Sequence, residues 1–290
     1  MRFYIVDAFT QELFGGNPAG IVLLGEKEFP EEMVMQKTAA ELRYSETAFV
    51  RTLESGTFHT RYFTPEAEVD LCGHATIALF HALFEEGIIP EEGTFTNLSL
   101  AGLLEVTRAD GMIFMEMGAP ESFGRIENAK ALRALYSVMG IPEAVGYLKG
   151  GLCPEMISTG LPDIMMPVKD EEILHAIKPD FPELSVLSEE YDVVGVHAFT
   201  VEATDGQIHV RNFAPRYAID EEAATGTSNG ALTYYLYKNG LLKSGDRSVF
   251  IQGEAMGRPS EIVSIIEEKD KIRIDIGGRA VTLATGDILL

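Results

Sequence analysis

An internal repeat limits the fold of this chain more than any other feature of its sequence. The segment CGHATIALFHALFEEGII at residues 72–89 shares the spacing of its Gly, Ala and Leu residues with TGTSNGALTYYLYKNGLL at residues 225–242. Upstream of each copy, GTFHTRYFTP at residues 56–65 matches GQIHVRNFAP at residues 206–215. One helix can resemble another by chance, but a strand, a loop and a helix that recur in the same order indicate duplicated structural units. The sequence therefore predicts two related halves.

The first repeated helix is apolar on almost every side. Between His74 and Phe84, apolar residues fill nearly all positions. A helix of this kind has to be covered all round, so we expect a sheet that curls around it. Elsewhere, segments with strand-like composition outnumber helical ones, and short turns join many of them. These patterns predict an α+β protein with mostly antiparallel strands rather than a doubly wound parallel sheet.

A polar stretch at residues 118–128 marks the expected border between the halves. A chain of 290 residues is long enough to form two domains. We therefore predict one domain at residues 1–118 and a second at residues 119–290. The last strand of the chain is free in this scheme to pack back on the first domain.

The charge of the chain limits its partners. The formal net charge of −22 repels nucleic acid and anionic membrane surfaces. The N-terminal segment carries Asp7 and Glu12 inside its apolar stretch, unlike a signal peptide, and the longest apolar run is too short to cross a bilayer. Two cysteines, Cys72 and Cys153, fit a reducing compartment better than a disulfide framework. We expect a cytoplasmic protein with no nucleic-acid or membrane partner, and leave room for a homodimer.

Each repeated helix begins at a glycine. Gly73 and His74 open the first helix, and Gly226 and Thr227 open the second. The free N–H groups of a first turn, with the helix dipole behind them, bind carboxylates and phosphates. A single copy would indicate only a tight turn, but two copies favour a shared site. If the halves pack with pseudo-twofold symmetry, we expect the two helix starts to hold a small anionic metabolite from two sides.

Five segments, in order along the chain, resemble one enzyme family. They are GNPAGIV at residues 16–22, YSETAFV at 44–50, FTPEAEVDLCGHATIA at 63–78, STGLPDIMMPV at 158–168 and RNFAPRYAIDEEAATGTSNGA at 211–231. Together they resemble the PhzF-like isomerases of phenazine biosynthesis, relatives of diaminopimelate epimerase. The resemblance implies two pseudo-symmetric domains, each a β-barrel wrapped around a central helix, with the active site between them.

The resemblance also assigns roles to single residues. Glu46 matches the family's catalytic glutamate, although a Glu at the start of a strand is most often an exposed residue. A carboxylate in a dry cleft has a raised pKa, which suits it to remove a C–H proton and return it elsewhere. His74 matches the family's active-site histidine. Glu222 stands where most members carry an aspartate, and Thr227 stands where a serine is usual, so both are predicted catalytic residues that could alter substrate choice. The residues we expect to bind the substrate are Gly73, Gly226, Ser45 and Asn17.

The repeat distinguishes two kinds of chemistry. Racemase relatives use two opposed cysteines, one in each repeated loop, as acid and base. Cys72 occupies the first of these places, but Thr225 occupies the second. A threonine hydroxyl cannot replace a thiol base near neutral pH. We therefore expect one-base proton transfer by Glu46, with Cys72 as a small buried residue.

Known cofactor signals are missing from the sequence. LFGGNPAG at residues 13–20 has neither dinucleotide nor P-loop spacing, and the six histidines show no metal-ligand spacing, so we predict no cofactor and no metal. Arg61 and Arg211 match each other in the repeat; they either line the cleft or have a structural role in each half. We predict a cofactor-independent isomerase or epimerase that moves a proton between carbons of a small carboxylate-bearing metabolite. The alternative is a catalytically idle relative that binds a metabolite or a protein partner.

Overall fold

A computed structural model describes residues 1–54, 56–141 and 151–290. Its helices are α1 (Glu32–Leu42), α2 (Gly73–Glu85), α3 (Ala129–Val138), α4 (Glu171–Ala176), α5 (Phe181–Glu190) and α6 (Gly226–Lys238). Its strands are β1 (Arg2–Ala8), β2 (Asn17–Gly25), β3 (Glu46–Glu54), β4 (Thr57–Phe63), β5 (Glu68–Val69), β6 (Gly93–Ser99), β7 (Gly102–Ala109), β8 (Met112–Glu116), β9 (Glu121–Arg125), β10 (Glu155–Ser158), β11 (Pro162–Pro167), β12 (Val196–Thr200), β13 (Ile208–Ala214), β14 (Ile219–Glu222), β15 (Arg247–Gln252), β16 (Ser260–Glu268), β17 (Ile272–Gly278) and β18 (Ala280–Asp287).

The chain divides into two compact units. The first consists of Met1–Glu116 together with Gly277–Leu290, and the second consists of Met117–Ile276. In the first unit, β18 pairs antiparallel with β1, β1 antiparallel with β2, β2 parallel with β3, and β3 antiparallel with β4. The sheet continues with β4 parallel to β6 and β6 antiparallel to β7. The last strand of the chain therefore belongs to the sheet of the first unit.

The second unit repeats this succession of pairings. β9 pairs antiparallel with β10, β10 antiparallel with β11, β11 parallel with β12, and β12 antiparallel with β13. β13 then runs parallel to β15, and β15 antiparallel to β16. The repeat seen in the sequence is thus a repeat of strand topology, and the predicted α+β fold with two equivalent units is confirmed.

The two repeated helices are the buried centres of their units. Every residue of α2 from His74 to Leu83 is buried except His81, which is half-buried. The helix packs against β1, β2, β3, β8 and β18. Helix α6 is buried over most of Gly226–Leu236 and packs against β10, β11 and β16. A helix that is apolar all round needs this cover, as the sequence predicted.

The matched arginines of the repeat form the same ion pair in each unit. Arg61 donates from Nε and Nη2 to the two carboxylate oxygens of Glu68, over 2.7 and 2.5 Å. Arg211 donates in the same way to Glu221, over 2.8 Å for both bonds. Such two-point pairs fix both side chains. Of the two roles open to these arginines, the contacts favour the structural one.

Among the described residues, no helix is long and apolar enough to span a membrane.

Candidate active site

Four of the predicted site residues meet around the His74 imidazole. His74 is the second residue of α2, and Glu46 is the first residue of β3. The Glu46 Oε2 atom lies 3.1 Å from His74 Nε2, and the Ser45 Oγ atom lies 3.2 Å from the same nitrogen. On the other side of the ring, the Asn17 Nδ2 atom lies 3.2 Å from Nδ1. The fold therefore brings together residues that are 57 positions apart in the chain.

The Glu46 carboxylate is nearly buried, with 16% of its side chain exposed. Its Oε2 atom is fully buried and lies 3.1 Å from His74 Nε2. Among the described residues, no group donates to this oxygen with regular hydrogen-bond geometry. Buried polar atoms normally have a hydrogen-bond partner, since an unpaired one costs about 1–3 kcal/mol. A buried oxygen without a well-aligned donor can still interact with a substrate atom.

The charge state of Glu46 differs from the prediction. We expected burial to raise its pKa, and burial does act in that direction, but the pKa is lowered overall. The positive charge of His74 and hydrogen bonds from His74 and Ser45 outweigh the burial effect. The expectation of a raised pKa was wrong because the distance between the carboxylate and the imidazole depends on the fold and cannot be seen in the order of residues.

The His74 imidazole has the opposite shift. Burial alone would lower its pKa, but the neighbouring Cys72 and Glu46 side chains raise it well above the ordinary value. The thiol stays protonated near neutral pH, so Glu46 supplies the negative charge that acts there. An imidazolium has no free acceptor nitrogen, so its formation requires the Asn17 amide to turn its oxygen toward Nδ1. Glu46 and His74 then form a buried ion pair.

Cys72 also lies against this imidazole, a position that the sequence reasoning did not use. Its Sγ atom is 3.4 Å from His74 Nδ1 and 3.8 Å from Nε2. Burial and the negative charge of Glu46 raise the pKa of this thiol to about 11. The group is therefore a thiol near neutral pH, which fits the predicted role of Cys72 as a small buried residue.

The same three side chains could hold a metal ion, because ligand atoms of Glu46, Cys72 and His74 lie within 4.8 Å of one another. Their present arrangement does not suit one ion: the carboxylate lies at Nε2, whereas the sulfur lies nearer to Nδ1. One imidazole nitrogen binds one ion, so both ligands would have to face the same nitrogen. The absence of a metal stays a prediction.

In the second unit, the corresponding loop carries a different polar cluster. The Thr225 hydroxyl, in the place of the Cys72 thiol, donates to Glu222 Oε2 over 2.8 Å. The Gln252 side chain, which the sequence reasoning missed, contacts both residues: its Nε2 atom lies 3.0 Å from Thr225 Oγ1 and 2.7 Å from the Glu222 carbonyl oxygen. No motif includes Gln252, because it reaches the loop from the end of β15.

The other residues predicted for the second half lie at the start of α6. Gly226 is the first residue of the helix and is buried. Thr227 is half-buried, and its carbonyl oxygen accepts a hydrogen bond from Thr159 Oγ1 over 2.9 Å. The helix starts at Gly73 and Gly226 are equivalent within their units, but their joint binding of one anion stays a prediction.

The strand registers show which residue replaces Glu46 in the second unit. Thr47 of β3 lies opposite Phe63, and Val196 of β12 lies opposite Phe213, the repeat equivalent of Phe63. The residue before Val196 is Gly195, where an added Cβ atom would lie 1.8 Å from the Phe213 carbonyl oxygen. No side chain fits there. At the position equivalent to Glu46, the second unit therefore carries no carboxylate.

Comparisons with known proteins assign the chain to a protein family. A family model described as "Phenazine biosynthesis-like protein" matches residues 6–286. The chain belongs to this phenazine biosynthesis-like family. An uncharacterised isomerase of Clostridium acetobutylicum is 33% identical over all of the chain and 98% of that relative. The predicted isomerase class is confirmed for the family by relatives that are named as isomerases.

Solved structures show the same fold as this member of the phenazine biosynthesis-like family. A PhzF-family phenazine biosynthesis protein of Bacillus anthracis is 28% identical and superposes with a TM-score of 0.86 over 100% of this chain and 99% of that one. A probable proline racemase from Agrobacterium radiobacter K84 is 15% identical and gives a TM-score of 0.67 over 100% and 93% of the two chains. The second likeness concerns the fold alone. Together they confirm the predicted epimerase-like fold.

Proposed function

We propose that this member of the family is a cofactor-independent isomerase that moves a proton between carbons of a small carboxylate-bearing metabolite, with Glu46 as the base. The observation that carries the proposal is the buried Oε2 atom of Glu46, which lies 3.1 Å from the His74 imidazole. A carboxylate oxygen in this setting is shielded from water and stays ionised, so it can act on a substrate C–H. In this proposal Glu222 and Thr227 are further catalytic residues, and Gly73 and Gly226 bind the anionic group of the substrate.

The chemistry needs only proton movement. Ionised Glu46 takes a proton from a carbon next to an electron-withdrawing group, and the electron pair left behind shifts toward that group. The protonated carboxyl then returns the proton to another carbon, which restores the starting state of the enzyme. His74 lies within contact distance of Glu46 and stabilises negative charge during the transfer.

The low pKa of Glu46 makes it a weak base in the isolated protein. A bound carboxylate substrate places another negative charge near Glu46 and excludes water, and both changes raise the pKa of Glu46. The base thus becomes stronger when a substrate of the proposed class binds. A neutral substrate would supply only the second effect, which is why we propose an anionic one.

The test begins with a thermal-shift screen of small carboxylic acids. Compounds that raise the melting temperature are then incubated with the enzyme in heavy water, and deuterium incorporation at carbon is followed by NMR and mass spectrometry. We expect incorporation with the wild-type enzyme and a loss of roughly 100-fold or more with Glu46→Gln, which keeps the shape of the side chain but removes the proton acceptor.

The matched control is Glu54→Gln, because Glu54 is an exposed carboxylate at the far end of the same strand. This variant should exchange at the wild-type rate. Exchange by Glu46→Gln at the wild-type rate would remove Glu46 from the mechanism. Compounds that bind without any exchange in the wild-type enzyme would instead support the idle-relative alternative.

A further inference from the structure

A buried hydrogen-bond chain in the second unit ends at Glu222. Its central member is Gln252, whose side chain is fully buried. The Gln252 Oε1 atom accepts from the Thr225 backbone N–H over 3.2 Å and from Asn229 Nδ2 over 2.9 Å. Its Nε2 atom donates to the Glu222 carbonyl oxygen over 2.7 Å and to Thr225 Oγ1 over 3.0 Å. Every hydrogen-bonding position of this amide is thus used within one loop and one helix turn.

These contacts fix the direction of the next hydrogen bond. Because Gln252 donates to the Thr225 oxygen, the proton of that hydroxyl is directed elsewhere. It is donated to Glu222 Oε2, which lies 2.8 Å away. Glu222 is therefore the last acceptor in this series of hydrogen bonds. An ionised carboxylate suits this position because it accepts hydrogen bonds and donates none.

The hydrogen bonds further inside the second unit are donated in the same direction, toward Glu222. Burial lowers the pKa of His197 to about 3, so its imidazole is neutral. Asn212 Nδ2 lies 3.2 Å from His197 Nδ1 and can only donate to it. The ring proton is then on Nε2, which lies 3.3 Å from Asn229 Oδ1. Asn229 in turn presents its amide nitrogen to Gln252, so all the bonds from Asn212 to Glu222 point the same way.

The first unit lacks this arrangement. In the repeat, Val69 stands at the place of Glu222 and Cys72 at the place of Thr225. The strand registers pair His59 with Leu98 and His209 with Ile251, so that Ser99 follows at the place of Gln252. The short Ser99 side chain donates no amide hydrogen bond. The carboxylate, its hydroxyl donor and the amide that orients the hydroxyl therefore occur together in one unit and are all missing from the other.

We propose that Gln252 is a positioning residue, which orients the Thr225 hydroxyl as a donor to Glu222 and thereby holds the Glu222 carboxylate ionised and in one orientation for the reaction. The proposal rests on the proposed function, because it assumes that Glu222 takes part in catalysis. In this proposal Gln252 acts through Thr225 and does not contact the substrate. A residue that only stabilised the fold would have no effect on the ionisation of Glu222.

The test is an NMR titration of protein labelled with ¹³C at the carboxyl carbon of glutamate, with the Glu222 signal assigned from its loss in Glu222→Gln. Gln252→Met keeps the length of the side chain but removes its amide, so we expect the Glu222 pKa to rise by roughly one unit. Thr225→Val should give a similar rise, and the double variant should rise no further than Thr225→Val alone. Thr225→Ser keeps the hydroxyl and should match the wild type.

Gln207→Met is the matched control, since Gln207 lies in the same unit and its side chain contacts Asp205 instead. It should leave the Glu222 titration unchanged. If Gln252→Met fails to fold, Gln252→Leu serves in its place, because it also removes the amide donor and adds no charge. An unchanged Glu222 titration in a folded Gln252 variant would overturn the proposal, as would additive shifts in the double variant.

These outcomes are separate from those of the proposed function. If Glu46→Gln abolishes deuterium exchange and the Glu222 titration does not move in the Gln252 variants, only the positioning role fails. If the titration moves as expected but Glu46→Gln exchanges at the wild-type rate, the assignment of the base fails and the hydrogen-bond chain stands.

Discussion

Glu46 and His74 each offset part of the energetic cost of burying the other's charge. A buried carboxylate and a buried imidazolium are both unfavourable alone, but at 3.1 Å each stabilises the charged form of the other. The opposite pKa shifts of the two groups express this coupling. Removing one member should therefore shift the pKa of the other in the direction in which burial acts.

Glu46→Gln should lower the pKa of His74. The substitution removes the negative charge that opposes the effect of burial on the imidazole. The pKa can be measured from the pH dependence of the His74 ring signals by NMR. The exposed-site variant Glu54→Gln should leave it unchanged. A His74 pKa that stays raised in Glu46→Gln would show that another group, such as an ionised Cys72, supplies the charge.

Cys72 should react with iodoacetamide more slowly than Cys153, the other cysteine of the chain. Cys72 is buried and its pKa is about 11, whereas Cys153 is half-buried. Alkylation depends on the thiolate, so we expect a difference on the order of tenfold or more near neutral pH. Peptide mass spectrometry gives both rates, and full denaturation should make them similar. Faster alkylation of Cys72 would indicate a reactive thiol like that of the racemase relatives.

At the scale of secondary-structure elements, the two units share their strand pairings but differ where strands and helices begin. Glu46 opens β3, whereas Gly195 precedes β12 at the equivalent place. The pairing pattern needs only the alternation of buried residues, so duplication preserves it. Glu46 contacts His74 in the first turn of α2, whereas Gly195 lies against the backbone of Phe213.

Gly195→Ala should destabilise the second unit by several kcal/mol, because the new Cβ would lie 1.8 Å from the Phe213 carbonyl oxygen and the backbone would have to move. The control is Gly286→Ala, where no atom lies within 4 Å of an added Cβ and the change should be about 0.5 kcal/mol or less. Denaturant unfolding measures both. A Gly195→Ala protein of wild-type stability would mean that the second unit can accept a side chain at this place.

At the scale of the whole molecule, stability should depend on pH through Asp163. This carboxyl is buried, and burial raises its pKa from the ordinary 3.8 to about 6. The folded protein therefore binds this proton more tightly than the unfolded chain does. Its contribution to stability falls as the pH rises from about 4 to about 6, by ~3 kcal/mol in total, and stays low at higher pH.

Asp163→Asn should remove this dependence. The amide has no charge to bury, and its carbonyl oxygen can still accept the hydrogen bond from Ser228. We expect the difference in unfolding free energy between pH 4 and pH 7 to change by ~3 kcal/mol in the variant relative to the wild type. Asp220→Asn, at an exposed position, is the control. Parallel pH profiles for wild type and Asp163→Asn would contradict the raised pKa.

Much of the fold could be predicted because it depends on local patterns. The all-round apolar character of residues 74–84 required a covered helix, and α2 is buried in the way this demands. The motif match named Glu46, His74, Ser45 and Asn17, and all four meet at one imidazole. Gln252 could not be found in this way, because it belongs to no motif and reaches Glu222 only through the folded chain.

The sequence by itself determined the duplication, the central helices and the family, since repeated spacing and apolar periodicity are carried by the order of residues. The tertiary structure alone decided the lowered pKa of Glu46, the lack of room for a side chain at residue 195 and the hydrogen bonds of Gln252. These three depend on distances of a few ångströms between residues far apart in the chain. Electrostatic and steric energies change steeply over such distances, and residue order does not specify them.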